Sequence, residues 1–308
     1  MNRPTRVVEF DKKEHHFYAR SNAKIDRIKL EFPLSVSLQI TRDCNLKCIY
    51  CSEIDRMRNA PITKVKEMVS NLRGVKRIIV TGGEPLMRKD LFEILKHIKE
   101  MQFENVSLAT NGVLVDHHVA ENLAGLVDYV DVTIDGPRKI HNEIRGEYDA
   151  VVNGVKMLSN AGVAFSLVTV LFKKNVDSIL YICQMADALG ATQLKIVTPI
   201  YKGRGMEVNS ERLSSDRLSA TFQKIRSEKE RNGWMVRITM TDWNNVGEGH
   251  AILVHPNGYA VASPVPSKER CVLGLGNVLE ESIKSIWKKY PYKENHLKKY
   301  LEKTLYVC

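Results

Sequence analysis

Thr41-Arg42-Asp43-Cys44-Asn45-Leu46-Lys47-Cys48-Ile49-Tyr50-Cys51 follows directly on an alternating, strand-like run, Val36-Ser37-Leu38-Gln39-Ile40. Three thiols at intervals of three and two residues can wrap three corners of a cubane [4Fe–4S] cluster, which ordinarily takes four cysteines. With no fourth cysteine nearby, one iron stays open to bind a ligand and pass it an electron. Other readings fit less well. Zinc usually wants four N/S ligands, commonly as two CxxC-type pairs, and a second pair is missing. A disulfide leaves an odd cysteine and needs an oxidising compartment.

The 308 residues suit one large α/β barrel-like domain, or one domain with a small extension. No run reaches the roughly 18 apolar residues needed to span a bilayer, and Met1-Asn2-Arg3-Pro4-Thr5-Arg6 lacks the apolar core of a signal peptide. The expectation is a cytoplasmic protein without a membrane partner, its cysteines reduced or metal-bound. The 46 Lys and Arg exceed the 36 Asp and Glu by 10. The excess is spread along helix-like segments such as Lys284-Ser285-Ile286-Trp287-Lys288-Lys289, which reads first as a solvated surface and second as a preference for an anionic substrate. No nucleic-acid-binding module is recognisable, so specific binding to nucleic acid is not expected.

After residue 35 strand-like and helix-like segments alternate, the pattern of a parallel sheet covered by helices. Strands are expected at 36–41, 77–82, 105–110, 129–135, 164–171 and 193–199. Helices are expected near 61–72, 90–102, 116–125, 148–161 and 177–189, with Gly162 and Gly190 placed as C-caps. The charged residues 1–35 form an N-terminal extension with an expected short hairpin around Val7–Arg20. They are too few for a separate peptide-binding domain. A long charged helix over 211–231 is expected on the outside. Beyond it come strands at 235–241, 250–255 and 259–262, a turn at Pro256-Asn257-Gly258, and helices near 280–290 and 293–303.

Further motifs cluster at strand ends. Ile78-Ile79-Val80-Thr81 ends in Gly82-Gly83-Glu84-Pro85, where glycines allow close approach of backbone and a carboxylate with exposed carbonyls can hold an ammonium group. The next strand ends in Thr110-Asn111-Gly112. Tyr129-Val130-Asp131-Val132-Thr133-Ile134-Asp135-Gly136-Pro137 leads to His141 and Arg145, a suitable bidentate partner for a carboxylate. Lys202 and Arg204 follow another strand end and read either as contacts for an anionic substrate or as part of a solvated loop.

Together these segments resemble the radical S-adenosylmethionine (SAM) family, with its CxxxCxΦC cysteine signature, GGEP and TNG segments, and an SIDG-P…H…RG stretch in which Thr133 replaces the common serine. The resemblance implies a partial (β/α)6 barrel over 36–232 with one cluster on Cys44, Cys48 and Cys51. It places SAM near Gly82, Gly83, Glu84, Pro85, Thr110, Asn111, Thr133, Asp135 and Arg145. It also implies a one-electron donor such as flavodoxin or ferredoxin. In such enzymes the open iron chelates SAM, and reduction yields a 5′-deoxyadenosyl radical.

Residues 233–308 resemble a small α+β SPASM or twitch extension in degenerate form. Ser263 stands where a cluster cysteine is expected, another cysteine is missing near Trp243–Glu248, and only Cys271 and Cys308 remain there. An extension without an auxiliary cluster is therefore expected. Cys183 reads as a buried core residue. Cys271 reads either as packing or, as in epimerases of this branch, as a hydrogen donor to a substrate radical. The expected substrate is a small polar metabolite, sugar-like or nucleotide-like, with epimerisation, dehydrogenation or rearrangement as outcome. Peptide maturation and a non-catalytic iron–sulfur protein are the alternatives. GTP cyclisation fits poorly, for want of a C-terminal three-cysteine cluster.

Overall fold

In strands β3 (Ser35–Gln39), β4 (Arg77–Thr81) and β5 (Asn105–Thr110) the apolar residues Val36, Leu38, Ile78, Val80, Val106 and Leu108 are buried on one face. Polar Ser35, Ser37, Arg77, Asn105 and Ser107 occupy the other, as a two-residue period requires. The computed structural model describes backbone at 8–11 and 16–19 and residues 30–55, 57–247, 249–265 and 272–307; Cys271 and Cys308 lie outside. Strands β1 (Val8–Asp11) and β2 (His16–Ala19) pair antiparallel, giving the expected N-terminal hairpin.

The main sheet continues through β6 (Tyr129–Thr133), β7 (Phe165–Val170), β8 (Gln193–Val197), β9 (Arg237–Thr241), β10 (Ala251–Val254), β11 (Tyr259–Ala262), β12 (Leu273–Asn277) and β13 (Leu305–Val307). Its order is β12-β11-β10-β3-β4-β5-β6-β7-β8-β9-β13. Every pair from β10 through β3 to β9 is parallel, while β11, β12 and β13 add antiparallel strands at the two ends. The expected six parallel strands are present. β9 and β10, assigned by sequence to the extension, lengthen the parallel run at both sides. β9 and β10 do not pair with each other, so the arc is a partial barrel.

Helices α1 (Ile62–Asn71), α2 (Leu91–Glu100), α3 (His117–Leu123), α4 (Arg138–Ile144), α5 (Tyr148–Asn160), α6 (Ile179–Ala188) and α7 (Ser215–Asn232) connect successive strands. They cover the apolar outer face, as in α2, where Leu91, Ile94, Leu95 and Ile98 at helical spacing are buried. α4 was not foreseen; it is short, and Pro137 opens it. Gly162 and Gly190 adopt φ of +68° and +75° just past α5 and α6, as expected of helix stops. α7 is charged yet buries Leu218, Phe222 and Ile225 against the barrel. α8 (Ile283–Lys288) and α9 (Lys293–Lys303) complete the chain's helices among the described residues. Among the described residues no helix is long and apolar enough to cross a membrane.

Candidate active site

The loop after β3 carries the cysteines, and its two ends are tied by one side chain. Arg88 donates from Nη1 to Ile40 O (2.6 Å) and from Nη2 to Ala60 O (2.9 Å), while its Nε bonds Asp90 (2.6 Å). The double glycine holds the loop's start. Gly83 N donates to Thr41 O (2.9 Å) and Glu84 N to Asp43 O (2.7 Å). A Cβ at Gly82 would stand 2.5 Å from Thr41 O, and one at Gly83 2.2 Å from Asp43 O, so neither position admits a side chain. The close approach that the sequence led one to expect toward a ligand is made first to the cysteine loop itself. Arg204 holds the loop's far half, its Nε donating to Cys48 O (2.8 Å) and its N to Cys51 O (3.0 Å).

Cys44, Cys48 and Cys51 are free thiols, Cys44 exposed and the other two half-buried. Burial pushes the Cys44 and Cys48 thiols up from their ordinary pKa. All three line one cavity of about 990 Å³ at the C-terminal ends of the parallel strands, with Gly82, Gly83, Thr110, Asn111, Thr133 and Arg145. Among the described residues no three Cys, His, Asp or Glu side chains converge on a single metal ion. Three thiols on one loop suit a multi-iron cluster, in which each thiolate takes a different iron. Arg145 adds a second mark of a ligand site: its Nε is buried and has no hydrogen-bond partner. The three thiols and this orphaned donor fit a cluster and an anionic group beside it.

Glu84 and Asp135 are fully buried and do not line the cavity. The Glu84 carboxylate accepts from Thr110 Oγ1 (2.8 Å), Asn111 N (2.7 Å) and Leu86 N (3.0 Å), tying the end of β4 to the end of β5. Burial raises its pKa, and these hydrogen bonds oppose the rise. Pro85 is buried and opens a 3₁₀ turn. The expected contact of the Glu84 carboxylate with an ammonium group thus has its oxygens already engaged.

Asp135 belongs to a network that sequence reasoning missed. The Tyr50 hydroxyl donates to Asp135 Oδ2 (2.5 Å) and accepts from Arg145 Nη1, while Arg145 Nη1 lies 3.6 Å from Asp135 Oδ2. Asp135 Oδ1 also accepts from Val170 N (2.8 Å). Burial raises the Asp135 pKa and Arg145 opposes it. Burial alone would lower the Arg145 pKa, but Tyr50 and Asp135 outweigh it and hold the guanidinium charged. His141, fully buried, takes Asp135 N on Nδ1 (3.2 Å), and burial lowers its pKa to about 4. The aromatic position before Cys51 was the available signal; its hydroxyl was the overlooked part.

A second network reaches the C-terminal region. Arg42 pairs with Glu53, and its Nη2 lies 2.9 Å from His255 Nδ1, itself 2.8 Å from the Gln39 side-chain amide. Lys202 donates to Glu53 Oε1 (2.6 Å). Of the two cations expected to meet a substrate, Lys202 is thus ion-paired and Arg204 braces the cysteine loop. Near Trp243–Glu248, where a cluster cysteine is missing, Asp242 accepts from Thr198 Oγ1 (2.9 Å) and Asn244 N (3.1 Å). Ser263 lines the cavity. Cys183 is buried in α6, its thiol pushed up to about 12, as a packing residue would be.

The sequence model of the Radical SAM superfamily matches residues 38–186, the segment holding the cysteine loop, the double glycine and Arg145. The chain is 30% identical over 64% of its length to an Fe-coproporphyrin III synthase of Methanosarcina barkeri, covering 53% of that protein. It is 30% identical over 69% of its length to a PqqA peptide cyclase of Gluconobacter oxydans, covering 62%. The chain thus spans little more than half the length of these relatives. Streptococcus suis SuiB bound to its precursor peptide SuiA superposes with a TM-score of 0.72 over 87% of this chain and 67% of SuiB, at 14% identity, which shows the fold. By its matching segment and its relatives, residues 38–186 are a radical SAM domain, of a superfamily whose cofactors are a [4Fe–4S] cluster and SAM.

Proposed function

We propose that this chain is a radical SAM enzyme that abstracts hydrogen from an unactivated carbon of a substrate held in the strand-end cavity. The observation that carries this reading is the set of three unpaired thiols facing that cavity beside a charged, partly unpartnered Arg145. Cys44, Cys48 and Cys51 hold the cluster. That group would supply, when bound and reduced, the one-electron cleavage of SAM to methionine and a 5′-deoxyadenosyl radical. The chain's own residues position and shield. Arg145 binds the SAM carboxylate, kept in place by Tyr50 and Asp135. Backbone at Gly82 and Gly83 approaches the amino group. Asn111 and the Thr133 hydroxyl border the same space, and Glu84 acts indirectly by fixing Thr110 and Asn111.

The substrate is a small polar metabolite in the first reading. A peptide is the second, favoured by similarity to a peptide cyclase and by the fold shared with SuiB. Electrons come from a flavodoxin- or ferredoxin-type donor, and Cys271 is proposed as hydrogen donor to the substrate radical. The reading is tested by reducing the anaerobically reconstituted protein with SAM and measuring 5′-deoxyadenosine. Release that is lost in Cys48→Ala supports it, and an iron-loaded protein that leaves SAM intact makes it a non-catalytic iron–sulfur protein. Cys271→Ser should leave SAM cleavage intact and change only the substrate product.

A further inference from the structure

The cavity has two chemically different regions. One holds the cysteines and the charges. The other is built from Val197 at the end of β8, Pro199 and Ile200 after it, Trp243 after β9, and Ile252 and Leu253 on β10. Trp243 is fixed from behind. Its ring stacks on Tyr300 of α9 (centroids 6.1 Å, planes 10° apart), and Tyr300 packs on His250 (4.7 Å). Its backbone N donates to Thr198 Oγ1 (2.9 Å), within the turn that Asp242 organises. α9 is seated by Gly249, where a Cβ would lie 2.0 Å from Leu297 N. An indole backed by a second ring and lining a cavity is a preorganised surface for a flat ligand. Charge adds a second requirement. Of the lining cations, Arg42 is held by Glu53, Arg145 by Tyr50 and Asp135, and Arg204 by the cysteine loop; Lys47 and Arg58 line the cavity with no ion pair among the described residues.

We propose that the substrate presents a planar conjugated ring bearing an anionic group, with the ring on Trp243 and the anion toward Lys47 and Arg58. This rests on reading the cavity as the substrate chamber of a radical SAM enzyme. The ring can belong to a free cyclic carboxylate or to an aromatic side chain in an acidic peptide. The test uses the reconstituted protein with two probes, coproporphyrin III and a short peptide containing Glu-Tyr-Glu, followed by calorimetry. At least one should bind, and Trp243→Ala should weaken it by about tenfold, with Trp243→Phe within about threefold of wild type. Binding of the porphyrin alone assigns a free ring, and of the peptide alone a peptide; either supports the proposal. The uncharged tetramethyl ester of the porphyrin should bind worse than the acid. Failure of both probes to bind wild type, or Trp243→Ala binding as wild type does, overturns it. Measuring 5′-deoxyadenosine in parallel separates the two claims. Ring binding that depends on Trp243, without SAM cleavage, overturns the enzymatic reading alone. SAM cleavage without binding of either probe overturns the ring proposal alone.

Discussion

Tyr50 couples the cysteine loop to Arg145. Its hydroxyl bridges a buried cation and a buried acid, so Tyr50→Phe leaves both short of a partner. Hydrogen bonds to charged groups contribute about 1.5–3 kcal/mol. We expect Tyr50→Phe to lower stability by about 2 kcal/mol in urea unfolding and to weaken SAM binding in calorimetry about tenfold, while iron content stays near wild type. His141 and His255 give a pH signature. Burial lowers both to about 4. They stay neutral in the fold while the unfolded chain takes up protons below about pH 6.5. Their contribution is therefore complete above about pH 6.5 and is lost as the pH falls toward 4. For His141, fully buried, a shift of that size corresponds to about 3 kcal/mol. Urea midpoints at pH 7 and pH 4.5 should differ less in His141→Asn, whose Oδ1 can still accept from Asp135 N, than in wild type; an unchanged difference would contradict the assignment. That the three cysteines and Arg145 are candidates for one site was readable because their motifs are local in sequence, and all four line the same cavity. The roles of Tyr50 and His255 were not, because their partners lie far along the chain and meet only through the fold.

The cysteine loop is an element held from outside rather than by its own hydrogen bonds. Two of its supports give clean tests. Gly83→Ala drives a Cβ into Asp43 O and should displace the loop, cutting iron incorporation severely even where the fold survives. Gly125 also has positive φ, +77°, but open space around it, so Gly125→Ala should cost only about 1 kcal/mol and leave iron content unchanged. Arg88→Lys keeps a charge but not the planar fork that reaches both Ile40 O and Ala60 O. It should lower iron content and raise protease sensitivity between residues 41 and 59. Strand and helix positions were legible because the outer face alternates apolar residues and the helices carry an apolar stripe, as in α2. Short α4, β12 and β13 were not, for they have too few residues to show a period.

The expected α/β architecture with a parallel sheet is present, and the reason it was legible is the repeated strand–helix alternation. What local pattern did not reveal is that β9 and β10 join the parallel sheet at opposite sides, since pairing partners are set by tertiary packing. This places residues of the C-terminal region, Trp243, Ile252 and Ser263 among them, on the wall of the same cavity as the cysteines. The central claim is that this cavity houses a single radical SAM cluster. The most direct measurement is iron and sulfide content, with EPR, of the anaerobically reconstituted wild type beside the Cys44→Ala/Cys48→Ala/Cys51→Ala variant. The account predicts about four irons per chain in the wild type, an EPR signal that changes on adding SAM, and almost no iron in the triple variant. Iron retained in the triple variant would contradict it and would mean an auxiliary cluster built on other ligands.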